Sequence, residues 1–176
     1  MNAKQQALID ELLVQLSEDE KRLCVPVIDY LLELGWIPKK HKKSTFVISF
    51  EKHGRKIVKL EYGKLYKADP APFLTFWLRY SASDGYSDRF KEPIVRLLKN
   101  HEEKHGERMG EFDTARCCGL CKGKPRLYMH TWEDGTTDSW CGGFTMLFKD
   151  LSPDYVPEIL RHIKNQDAFF EELAAL

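Results

Sequence analysis

The hydrophobic residues of this 176-residue chain change period partway along, and that change restricts the folds open to it. Near the start, Leu8, Ile9, Leu12, Leu13 and Leu16 recur at the spacing of one helix face, which predicts a helix over about Lys4 to Leu16. Ser17 and Glu20 form a capping-box pattern that opens a second helix, with Leu23, Val27, Leu31 and Leu34 continuing the stripe up to Gly35. Pro26 falls inside this stripe and predicts a break or a restart there. From Phe46 the period becomes two: Phe46, Ile48 and Phe50 alternate with Val47, Ser49 and Glu51. Lys52-His53-Gly54-Arg55 reads as the turn into a second strand, Lys56 to Tyr62.

Further on, a third strand is expected across Pro72 to Tyr80 and a helix from Asp88 to Lys104. Arg126 to Trp132 and Trp140 to Phe148 read as a second hairpin around Glu133-Asp134-Gly135-Thr136-Thr137. A helix opened by Ser152-Pro153 carries Val156, Ile159, Leu160 and Ile163, with a last piece through Phe169, Phe170 and Leu173. Strands followed by helices, without βαβ alternation, predict an α+β fold. The expected form is an antiparallel sheet of two hairpin units with helices on one face and an N-terminal helical pair. A hydrophobic content of 43% at this length is enough for one core, so a single domain over 1–176 is expected. Its parts are a helical pair (1–35), a strand-helix unit (36–105), a cysteine loop (106–125) and a hairpin-helix unit (126–176).

Four of the five cysteines fall between Cys117 and Cys141. Cys118-Gly119-Leu120-Cys121-Lys122-Gly123 has the C-x-x-C-basic-Gly form of one half of a zinc knuckle, a turn in which two thiolates converge. Structural zinc takes four thiolate or imidazole ligands, so Cys118, Cys121 and Cys141 are expected ligands, with Cys117, His130 or a residue of the preceding helix as the fourth. His101, His105, Cys118 and Cys121 also give H-x3-H-x12-C-x2-C, the spacings of a C2H2 finger in reversed order. The competing expectation is that these cysteines are ordinary thiols. A thioredoxin-like redox role is disfavoured, because the motif runs into Gly123-Lys124-Pro125 and a strand rather than a helix N-terminus.

His101-Glu102-Glu103-Lys104-His105 matches the H-E-x-x-H of zinc proteases. Its middle positions are charged and its flanks polar, which predicts a solvated helix end rather than a catalytic helix. The sequence contains no G-x-G-x-x-G, P-loop or G-x-S-x-G, so dinucleotide, Walker-type and α/β-hydrolase chemistry lack support.

Lys plus Arg and Asp plus Glu both number 27, but the charge is unevenly placed. Residues 36–70 carry 10 basic and 3 acidic side chains, between acidic ends. Lysines there interleave with Phe46, Phe50, Tyr62 and Tyr66, which admits phosphate contacts and base stacking. The plainer expectation is that the aromatics face the core while the lysines decorate the exposed face and edges. Trp77, Trp132 and Trp140 are candidate lining residues of a ligand pocket. The N-terminus reads as an amphipathic helix rather than a secretory leader, no apolar run is long enough to span a bilayer, and the thiols suit a reducing compartment. The functional expectation is therefore a cytoplasmic binding or regulatory accessory protein with structural zinc and a small-ligand or protein partner. A metal- or thiol-dependent enzyme using the same cysteines is the alternative, and nucleic-acid binding through residues 36–70 is third.

Overall fold

The computed structural model describes residues 2–42, 45–80, 85–111 and 126–176. Helix α1 spans Ala3–Leu13 and starts in a capping box, with Asn2 as N-cap and Gln5 returning the bond. Helix α2 spans Glu18–Glu33, and Ser17 with Glu20 forms the expected box. It closes at Gly35 (φ +83°), with Trp36 N–H bonded to Leu31 C=O at 2.9 Å and Gly35 N–H to Leu32 C=O at 3.0 Å. This paired closure needs a left-handed residue, which glycine adopts without strain. The break expected at Pro26 does not occur: α2 runs through it. Pro26 sits on the exposed side, so the Arg22 carbonyl that it leaves unbonded can turn to water while Leu23, Val27 and Leu31 stay buried.

Five strands, β1 (Ile37–Lys40), β2 (Phe46–Lys52), β3 (Arg55–Gly63), β4 (Phe73–Leu78) and β7 (Met146–Phe148), form one antiparallel sheet in the order β1-β2-β3-β4-β7. The β2–β3 turn has positive φ at His53 (51°) and Gly54 (69°), the backbone form that matches strand twist in a two-residue hairpin. Strand β1 was not expected from the pattern, because Pro38 and two lysines mask it; it is an edge strand, where proline and lysine are tolerated. In register, Ile48, Leu60, Phe76 and Phe148 make one row across the sheet, and Phe50, Val58, Leu78 and Met146 make the next. All eight are buried and share a core with Leu12 of α1, Leu23, Val27 and Leu31 of α2 and Ile159, Ile163 and Phe170 near the C-terminus.

The remaining strands, β5 (Leu127–Thr131) and β6 (Thr137–Cys141), form a separate two-stranded sheet. The stretch expected as one strand, Trp140 to Phe148, is thus divided. Its first part completes the hairpin with β5, and after Gly142-Gly143 the chain crosses to pair with β4. Glycine sustains a strand poorly, whereas Met146 and Phe148 gain burial on the open edge of β4. Helix α3 (Asp88–His105) buries Phe90, Pro93, Ile94 and Leu98 and ends at Gly106. Helix α4 (Val156–Ala174) is continuous, so the separately expected last piece is its final turns. The fold is α+β. Among the described residues no helix is long and apolar enough to cross a membrane.

Candidate functional site

Helix α3 and the β5–β6 hairpin face each other across an open cleft of about 570 Å³, lined by Val95, Lys99, Arg108, His130, Trp132 and Asp134 among others. A second cleft of about 550 Å³ adjoins it along α3 and shares Val95, Lys99 and His130. The hairpin register explains which side chains reach this space. Tyr128 is opposite Trp140 and His130 is opposite Asp138, while Leu127 is opposite Cys141 and Met129 opposite Ser139. Alternation sends the first set to one face and the second to the other. His130, Trp132 and Trp140 therefore share the face toward α3, where the His101 and Trp140 ring centroids are 5.9 Å apart. Tyr128 anchors that face, fully buried against Tyr80, with its hydroxyl donating to the Phe144 carbonyl at 2.8 Å.

Asp138, 2% exposed, holds the site together. It accepts from Gly110 N–H at 2.7 Å and from Trp132 Nε1–H at 2.8 Å. Arg108 stacks on the Trp132 ring at 5.0 Å and donates to Asp134 Oδ2 and Thr136 Oγ1, both at 2.7 Å. Bonds from the Thr136 hydroxyl and backbone, with that of Arg108, bring the Asp134 carboxyl down to about 2. Three ionisable groups lining the cleft, His130, Lys99 and Glu133, are left for other partners. The His130 imidazole packs on Trp132 at 4.5 Å but makes no hydrogen bond among the described residues, and Lys99 makes no ion pair among them. Burial lowers the His130 pKa, which Asp138 opposes and the charges of Lys91 and Lys99 reinforce, so the ring is neutral at physiological pH.

The expected metal ligands divide. Cys117, Cys118 and Cys121 lie outside the described residues. Cys141 and His130 are described, and the register puts them on opposite faces of the hairpin, so the two do not converge on one ion. Cys141 is a free, half-buried thiol whose sulfur accepts from Gly143 N–H at 3.3 Å. Among the described residues no three His, Cys, Asp or Glu side chains form a metal-holding group. Cys24 is buried in α2, and burial pushes its thiol pKa well up. The H-E-x-x-H segment is the polar end of α3, with Glu102 drawn to Arg108 at 3.5 Å.

Trp77 stands apart from the other two tryptophans. It lies on the five-stranded sheet, its ring 3.6 Å from Lys59 Nζ and its indole N–H bonded to Glu61 at 3.2 Å. The lysines of residues 36–70 are largely spoken for: Lys39 and Lys56 pair with Glu51, Lys40 with Glu11, Lys59 with Glu61, and Lys52 with Asp167 and Glu171. Phe50 belongs to the core and Phe46 and Tyr62 pack against it part-buried, with Lys40 Nζ 4.5 Å from the Phe46 ring. Arg108, Asp138 and Lys99 escaped sequence reasoning, because only the fold brings residues from α3, its exit and the hairpin together. The Trp132 to Trp140 spacing across a polar turn was the available signal. Comparison with family models, curated proteins and solved structures found no match.

Proposed function

We propose that this chain is a binding protein whose α3–hairpin cleft takes a small molecule with a planar apolar part and an acidic group. The observation that carries this reading is the division of labour among the cleft's polar groups. Asp138 and Arg108 are held by neighbours on the hairpin and its approach, which suits a rigid recognition surface. His130 and Lys99 remain free to receive an anion, beside the apolar surfaces of Val95 and Trp132. The test is a heteronuclear NMR titration with benzoate and with phenyl phosphate. The expected shifts map to 95–100 and 130–134 and are lost in Lys99→Ala; shifts spread over the surface, or none, overturn the reading.

The cysteine cluster has a structural role in this reading, with Cys118 and Cys121 holding one zinc ion. A lone two-stranded hairpin is marginally stable, and both approaches to the cysteine segment are tied to β6 and its end. Ser139 N–H bonds Gly110 C=O at 3.0 Å, and Gly142 N–H bonds Arg126 C=O at 2.9 Å. A metal bridging this closed segment would stiffen the hairpin that carries His130 and Trp132. Elemental analysis should find bound zinc in the purified protein and lose it in the Cys118→Ser/Cys121→Ser double variant. Metal-free wild-type protein refolded with zinc removes the metal from the proposal.

A further inference from the structure

We infer that one end of the five-stranded sheet binds single-stranded nucleic acid, a role separate from that of the α3–hairpin cleft. Strand direction collects the relevant side chains there. The β1–β2 and β3–β4 connections both lie at this end, and so does the exit of β7, which runs antiparallel to β4. Lys42, Lys64 and Lys67 are the described lysines of residues 36–70 that take no carboxylate, and all three belong to those connections. Lys64 Nζ donates to the Pro70 carbonyl at 3.2 Å. Lys149, just past β7, also makes no ion pair among the described residues, and its Nζ lies 4.8 Å from the Tyr66 ring and 5.5 Å from that of Phe73. The acids nearby are mostly engaged. Asp69 accepts from Tyr66 N–H at 2.7 Å, Glu11 holds Lys40, and Glu92 holds Arg89 at 2.8 Å, while Asp150 has no partner among the described residues.

Aromatic surface accompanies this charge. Tyr66 is 59% exposed, and Phe46 and Tyr62, directly opposite each other in β2 and β3, are half-buried. Two clefts border the 64–72 connection. One, of about 680 Å³, is lined by Phe46, Tyr62, Lys40 and Lys64, and among the described residues no carboxylate lines it. The other, of about 360 Å³, brings Tyr66 together with Arg89, Arg96 and Lys149, beside Glu92 and Asp150. Rings next to cations suit a chain whose units alternate base and phosphate. An acidic peptide would pair with the lysines and leave the Tyr66 ring unused. A lipid surface calls for several exposed apolar side chains at one level. Of the two exposed aromatic rings among the described residues, only Tyr66 is here, since Phe144 precedes β7 at the other end.

The test is fluorescence anisotropy of labelled oligothymidylate and oligouridylate with the full-length protein, over about 50–200 mM salt. Two variants accompany wild type, Lys64→Ala/Lys67→Ala/Lys149→Ala and Tyr66→Ala. All four side chains are exposed, so both variants should fold, which circular dichroism checks. Wild type should bind with an affinity that falls as salt rises. At about 0.7 per phosphate contact, the lysine variant should lower the slope of log affinity against log salt by roughly 2. Tyr66→Ala should weaken binding roughly 5- to 150-fold, the loss of one stacked base. An abasic oligomer of the same length should bind more weakly than the intact one, and the tighter of the two labelled oligomers assigns DNA or RNA. Equal affinity for the abasic oligomer, or wild-type binding by either variant, overturns the inference. So does capture by phosphatidylserine vesicles with no anisotropy change for either oligomer at the lowest salt.

Discussion

Trp36 donates its indole N–H to Asp167 Oδ1 at 2.9 Å, joining the start of β1 to α4 across 131 residues of sequence. The same oxygen receives Lys52 Nζ at 3.0 Å, and Lys52 also reaches the Leu34 carbonyl at 2.8 Å and Glu171. The carboxylate thus ties together the exit of α2, the end of β2 and the face of α4. Trp36 is 1% exposed and tilted against Phe170 at 5.9 Å, so its N–H has no route to water if the acceptor is removed.

Asp167→Ala should therefore cost about 2–3 kcal/mol, since it strands a buried indole donor and removes one of the three acceptors around the Lys52 ammonium, which keeps Glu171 and the Leu34 carbonyl. Asp167→Asn keeps an acceptor for Trp36 and loses only the charge facing Lys52, so its cost should be about 1 kcal/mol. Urea unfolding with unchanged m-values measures both. Equal costs for the two substitutions would show that the indole bond contributes nothing.

The second prediction concerns His162, which is fully buried in α4 among Tyr80, Tyr86 and Phe90, at ring distances of 5.0, 5.8 and 4.7 Å. Neither ring nitrogen makes a hydrogen bond among the described residues, although Glu158 Oε1 is 3.3 Å from Nε2. Burial depresses the imidazole pKa, which Glu158 opposes and the nearby Arg161 charge reinforces. A histidine depressed in the folded state is protonated first in the unfolded chain, whose value is about 6.5. Its stabilising contribution is thus complete above that pH and is lost as pH falls below it. His162→Phe should flatten the stability curve between about pH 6.5 and 5 relative to wild type. Parallel curves through that interval would contradict the assignment.

A third prediction tests the support of the cleft. Asp138 accepts from two donors, Gly110 N–H and Trp132 Nε1–H, and asparagine would turn its own N–H₂ toward one of them. Asp138→Asn should destabilise the protein by about 1–3 kcal/mol. It should also speed amide exchange in β5 and β6 more than in β2 and β3, because the substitution acts on the two-stranded sheet. Uniform acceleration across both sheets would place Asp138 in the global core rather than in the hairpin's attachment.

Much of this architecture was legible because it is written in local signals. Ser17 with Glu20 fixed the start of α2, Gly35 its end, and the alternation of Phe46, Ile48 and Phe50 the central hairpin. What escaped depended on distant partners. Strand β1 looks polar because only its neighbour β2 makes it a strand, and the division at Gly142-Gly143 depends on the vacant edge of β4. In the cleft, His130, Trp132 and Trp140 could be picked out by residue type, and the strand register then assigned them one face. Lys99 and Arg108 carry no local mark; α3 and its exit matter there only because the hairpin folds against them. The same register separates His130 from Cys141, two residues that sequence alone offers as fourth and third ligands of one ion.

The unbroken passage of α2 through Pro26 gives the last prediction. Proline in a helix interior is about 3 kcal/mol worse than alanine, since it removes an amide donor and crowds the preceding turn. Here it lies on the exposed side between the buried pairs Leu23-Cys24 and Val27-Ile28, so no packing is lost when the ring is removed. Pro26→Ala supplies an N–H for the Arg22 carbonyl in a helix that already holds the right geometry. Part of the gain is offset, by about 0.4–1 kcal/mol, because alanine frees the unfolded chain. The variant should be more stable by about 2–2.6 kcal/mol, with unchanged near-ultraviolet dichroism from the tryptophans. A destabilised variant would mean that the proline shapes a bend in α2 on which the packing of Cys24 and Val27 depends.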